Sequence, residues 1–78
     1  MKNKANPLQT FVKERRRKLK ITQEQLAAKS GVGLRFIRDM EQGKTTLRMD
    51  KVNQVLNMFG HELGPVAMDR NILIDEKS

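Results

Sequence analysis

Apolar side chains recur at helical spacing in four stretches divided by turn residues. Leu8, Phe11 and Val12, then Arg15 and Leu19, follow the i, i+3, i+4, i+7 template, and Pro7 suits a first helical turn. The spacing predicts a first helix over Pro7–Leu19, preceded by a polar, aperiodic Met1–Asn6 that is expected to fray. Thr22-Gln23-Glu24-Gln25 has the spacing of a capping box, so a second helix is predicted to run to about Lys29, burying Leu26, Ala27 and Ser30 and ending at Gly31. After Gly33, a third helix is predicted from Leu34 to Gln42, stopped by Gly43. One of its faces carries Ile37, Met40 and Glu41; the other carries Leu34, Arg35 and Arg38, with Asp39 at the edge. Met49, Val52, Val55, Leu56 and Phe59 predict a fourth helix, with Asp50 favourably placed at its start and Gly60 at its end. The second and third helices are divided by a short glycine-containing link, which is helix-turn-helix spacing.

The pattern changes at His61. Gly64 and Pro65 are incompatible with a helix interior, and Leu63, Pro65, Val66 and Ala67 read as an extended segment within His61–Met68. Pro65 restricts such a strand to an edge. The rest of the chain is helical, so the expected partner is the same strand of a second copy across a two-fold axis. The tail, Asp69–Ser78, holds an apolar knot, Ile72-Leu73-Ile74, between charges.

Composition narrows the chemistry. Seventy-eight residues, 37% of them apolar, support one small core. With no cysteine, one histidine and three phenylalanines as the only aromatics, disulfides, cysteine zinc sites, thiol catalysis and aromatic stacking platforms are excluded. Gly31-Val32-Gly33 is a two-glycine fragment between helices and not a phosphate-cradling loop, and Walker, HExxH and EF-hand patterns are absent. His61, beside Gly60, reads as a helix-end residue. Neither enzyme activity nor a metal or cofactor is expected. The chain lacks an apolar run of the ~18 residues that a membrane span needs and an apolar leader, so a cytoplasmic protein is expected.

Charge gives a positive indication. The net charge of +7 lies in residues 1–20, where eight Lys or Arg face one Glu. A polyanion partner on one face accounts for that asymmetry; a solvated helix face is the plain alternative. In a helix-turn-helix, the second helix enters the major groove N-terminus first. Gly33 would allow close backbone approach there. Arg35 and Arg38 would fork onto guanine O6 and N7, Leu34 would meet a thymine methyl, and Asp39 would accept from cytosine N4 or hold an arginine in place. Thr22 and Gln23, at the start of the second helix, and Lys44, Thr45 and Thr46, after the third, are candidate phosphate contacts.

Thr22-Gln23-Glu24-Gln25-Leu26-Ala27, Ser30-Gly31-Val32, Ile37 and Met40-Glu41-Gln42-Gly43-Lys44 together resemble the lambda-repressor-like (XRE-type) helix-turn-helix family over about residues 7–60. The resemblance implies an all-α domain of four or five helices that binds DNA as a dimer. The longer register, from Gly33 through Leu47-Arg48-Met49-Asp50 to Gly60-His61-Glu62-Leu63, resembles HipB-like regulators, the antitoxin partners of HipA-type kinase toxins. That group pairs a short C-terminal β-strand across a homodimer. The resemblance also implies that an arginine of the first helix, by position Arg16, pairs with Glu41. Arg15 departs from it, standing where many relatives carry Leu: either Arg15 snorkels or the helix is rotated.

The chain thus divides into a flexible 1–6, a DNA-binding domain 7–60, a dimerisation strand 61–68 and a tail 69–78. The leading expectation is a homodimeric repressor of a palindromic operator, autoregulating a toxin–antitoxin operon. A module that mainly binds and restrains a kinase-like toxin, through helix four or Ile72–Ile74, is the second. A membrane-surface helix is the third, and weak, since the first helix is short and lacks tryptophan. Small-molecule substrates are not expected. A kinase-like reading frame overlapping this one would decide the class.

Overall fold

The computed structural model describes residues 6–68, which form four helices. These are α1 (Pro7–Lys18), α2 (Gln23–Ser30), α3 (Leu34–Glu41) and α4 (Met49–Asn57). Helix α3 packs on α1 and α2, and α4 packs on α2. The four expected helices are all formed, with ends shifted by one or two residues.

Each boundary has a local cause. Asn6 caps α1: its side chain accepts from the Gln9 N–H at 2.7 Å, while Gln9 Oε1 accepts from the Asn6 N–H. This capping box, Asn6-x-x-Gln9, lies where fraying was expected. The same device starts α2, between Thr22 and Gln25. Gly31 ends α2 with φ of +81°, in the left-handed region that glycine enters without penalty. Helix α1 stops at Lys18, and Leu19, placed by periodicity on the inner stripe, is exposed. The chain turns through Lys20, which is itself left-handed at φ of +58°.

The core is built from one side chain or more of every element: Val12, Leu26, Ala27, Ile37, Met40, Val52, Val55 and Leu56, plugged by Val32 from the α2–α3 turn. Leu8, Phe11, Ile21, Leu34, Phe36, Leu47 and Phe59 pack around it. Two expectations fail here. Met49 begins the α4 stripe yet is 69% exposed, and Phe59 lies in the turn after α4, not within it. Arg15 is exposed and lays its guanidinium 5.0 Å from the centre of the Phe11 ring, so it snorkels over an aromatic face and α1 is not rotated.

Residues 61–68 form no strand, and all of them are exposed. A ladder needs a second extended segment, and the described residues offer none. The segment is tied to α4 where the Leu63 N–H donates to Asn53 Oδ1 at 2.8 Å. Beside it runs an open apolar groove of about 620 Å³, walled by Pro7, Leu8, Phe11, Leu47, Met49, Val52, Leu63 and Val66. The Ile72–Ile74 knot lies outside the described residues. Among the described residues, no helix is long and apolar enough to cross a membrane.

Candidate nucleic-acid interface

The α2–turn–α3 unit is held rigid from behind. Glu41, 3% exposed, is gripped by Arg16 through two parallel bonds, Nε to Oε2 at 2.7 Å and Nη2 to Oε1 at 3.0 Å. Arg16 also donates to the Ile21 carbonyl at 3.0 Å, and Gln23 Nε2 donates to Glu41 Oε1 at 3.2 Å. One carboxylate therefore ties α1, the entry to α2 and the end of α3. Burial alone would push its pKa up; the hydrogen bonds from Arg16 and Gln23, with the charges of Arg16 and Lys13, outweigh that and hold it below the ordinary glutamate value. The same pairing raises Arg16. Among the described residues, no buried side-chain polar atom lacks a partner.

The Gln23 side-chain amide, a candidate phosphate contact, gives one of its two N–H groups to Glu41 at the first turn of α2; the other and the backbone amide remain at the helix start. The Thr22 hydroxyl accepts from Gln25 N–H at 3.0 Å, so it serves the helix cap and retains only its own proton for another acceptor.

Helix α3 separates its two faces cleanly. Ile37, Met40 and Glu41 are buried, while Arg35 (91% exposed) and Arg38 face solvent. Leu34 differs from expectation: it is half-buried and packs against the core, which leaves only part of it for a base methyl. Gly33 caps α3 with extended backbone (φ −76°, ψ 156°), and a Cβ built there meets nothing within 4 Å. Any residue fits that conformation, so the protein's own packing does not demand glycine. Asp39 lies 3.8 Å from Arg35 Nε and 3.6 Å from Lys44 Nζ. Lys44, Thr45 and Thr46 are all exposed beyond the α3 C-terminus.

Two contacts were not anticipated. Gln9 Nε2 donates to the Glu41 carbonyl at 2.9 Å, latching the start of α1 onto the end of α3. Gly43 has φ of +89°, a backbone that favours glycine, and a Cβ there would come within 2.8 Å of Gln9 Oε1 and push the end of that side chain aside. Arg48 and Asp50 form an exposed bidentate pair at the start of α4, which lowers Asp50 through the Arg48 hydrogen bonds first. The Asn6-x-x-Gln9 spacing was a readable signal for the α1 cap; nothing in the sequence pointed to the reach of Gln9 across to α3.

Residues 12–63 match the helix-turn-helix family HTH_3. The chain belongs to that family, of the XRE or lambda-repressor-like type. The match begins inside α1 and ends in the extended segment, so it takes in the whole of α2, α3 and α4. The chain is also 49% identical over 52 residues to a protein of Sinorhizobium fredii named as an uncharacterized HTH-type transcriptional regulator, covering 67% of this chain and 68% of that one. No solved structure matches significantly.

Proposed function

We propose that this HTH_3 chain is a DNA-binding transcriptional regulator that reads sequence through α3 and represses as a homodimer. The observation that carries the reading is the division of α3: its inner face is fixed by the core and by the Arg16–Glu41 pair, and its outer face presents Arg35 and Arg38 to solvent. A helix so anchored presents two guanidinium forks from a fixed backbone, which suits guanine edges in the major groove. The name of the Sinorhizobium relative supports the regulatory role.

Homodimerisation is proposed through Leu63, Pro65, Val66 and Ala67. Val66 is 88% exposed beside the apolar groove, and the backbone of 61–68 has no ladder of its own. Pairing with a second copy would satisfy those groups and cover both. The antitoxin role, with a HipA-like kinase as partner and autoregulation of the shared operon, is proposed on the HipB-like register of Gly33–Leu63 alone. In this reading the chain has no catalytic activity; it acts by occluding a promoter.

The test is selection of duplexes from a random pool by the full chain. A two-fold symmetric sequence should emerge, its half-sites about 10 base pairs apart or a multiple of that. Absence of any enriched sequence would contradict the reading. Co-purification with a kinase-like protein encoded alongside decides the antitoxin role.

A further inference from the structure

We infer that Asp39 is a positioning residue that makes Arg35 a base reader by withholding it from DNA phosphate. The inference rests on the proposed role of α3 in reading DNA.

Asp39 sits one turn after Arg35 on the exposed side of α3 and is itself only 23% exposed, so its carboxylate is partly shielded from water. It meets two cations. Its Oδ1 lies 3.8 Å from Arg35 Nε, and its Oδ2 lies 3.6 Å from Lys44 Nζ. Lys44 is also held by its backbone, its N–H donating to the Asp39 carbonyl at 3.0 Å. One residue thereby fixes where Lys44 leaves the helix and faces the ammonium it carries.

The point of contact on Arg35 matters. Asp39 approaches the Nε edge, which leaves both terminal nitrogens free. Those are the atoms that fork onto guanine O6 and N7. Guanine offers neutral acceptors, so an arginine already flanked by a carboxylate keeps most of its value there. Phosphate is an anion: a nearby carboxylate repels it and competes with it for Arg35. The arrangement weakens the charge-driven binding that every duplex shares more than it weakens binding to a correct base. Specificity is a difference of affinities, and a repulsive group raises it as effectively as a new contact.

Asp39→Asn removes the charge and keeps an oxygen that can accept from Arg35 Nε. Full-length wild type, Asp39→Asn and Asp50→Asn are titrated at several salt concentrations against two duplexes: one selected from a random pool by the wild-type chain, and one scrambled from the same bases. Asp50→Asn makes the same charge change at a carboxylate paired with Arg48. The expected result is that Asp39→Asn binds the scrambled duplex more tightly, steepens its log–log salt dependence by about one unit, and lowers the selected-to-scrambled ratio. Asp50→Asn should leave that ratio unchanged, and in an Arg35→Ala background the effect of Asp39→Asn on it should shrink.

Equal strengthening on both duplexes would reduce Asp39 to net charge and overturn the inference. So would a loss confined to the selected duplex, which would make Asp39 a reader of a base donor. If wild type prefers no sequence, the proposed function fails, yet an unchanged affinity of Asp39→Asn for the scrambled duplex would still refute the withholding of Arg35.

Discussion

Arg16 on α1 and Glu41 at the end of α3 are joined by two parallel hydrogen bonds across 25 positions of sequence, and Glu41 is the one charged side chain buried among the described residues. The pair ties the C-terminal end of α3, the proposed recognition helix, to α1, beside the core packing of Ile37 and Met40. A carboxylate out of water is tolerable only when its lone pairs are engaged, and here Arg16 and Gln23 engage them.

Truncation should therefore be far more damaging at Glu41 than at an exposed carboxylate. Glu41→Ala strands Arg16 beside the core and should cost about 3 kcal/mol or more, as broken buried pairs do. Glu24→Ala, exposed on α2, should stay within about 0.5 kcal/mol of wild type. Urea melts of both variants give the comparison, and near-native stability for Glu41→Ala would mean that the pair is not what holds α3.

Acid should act through the same group. The native pKa of Glu41 is lowered relative to the unfolded chain, so its ionised form stabilises the fold. That contribution is complete above the ordinary glutamate range, near pH 4–5, and is lost as pH falls through the native value. Between pH 7 and 3 the urea midpoint of wild type should fall more steeply than that of Glu41→Gln, whose neutral amide does not titrate. Parallel curves would remove Glu41 from the acid response.

Gly33 separates stability from function. Its backbone suits any residue and a Cβ would sit in open space, while α3 lacks a side-chain cap. Gly33→Ser supplies the cap and should be neutral or stabilising by a few tenths of a kcal/mol, roughly the Ser–Gly difference at this position. If bare backbone approaches DNA there, the same variant should bind less tightly. Thermal melts together with gel shifts read the two effects, and full binding by Gly33→Ser would show that glycine is not needed for contact.

Removing 61–78 should spare the fold and impair assembly. Every fully buried apolar residue lies between Val12 and Leu56, so the shortened chain keeps its core. It loses Leu63 and Val66 from the groove and the backbone groups offered to a second copy. Sedimentation equilibrium should show weaker self-association for 1–60. A 1–60 chain that dimerises as tightly as the full one would place the interface on α4.

What could be read from the sequence was local. The capping box at Thr22, the glycine stop at Gly31 and the Ile37–Met40–Glu41 stripe each depend on residues within one or two turns, and each is formed. What could not be read depends on contacts across the fold. The hydrogen bond from Gln23 to Glu41 carried no local signal, because its partners are 18 positions apart. Leu34 looked free for the groove because packing from neighbouring elements is invisible along one helix. Left-handed Lys20 carried no signal, since the residue type does not favour that conformation. The strand expected over 61–68 is not formed within one chain, where no second extended segment lies among the described residues.

The central claim is that the outer face of α3 reads sequence while the loop after it grips the backbone. Gel-shift titration of Arg35→Ala and Lys44→Ala, on a duplex selected by wild type and on a scrambled one, tests it most directly. Arg35→Ala should lose about 1–3 kcal/mol on the selected duplex and less on the scrambled one. Lys44→Ala should weaken both alike and flatten the salt dependence by about one unit. Equal losses on the two duplexes for Arg35→Ala would contradict base reading by α3.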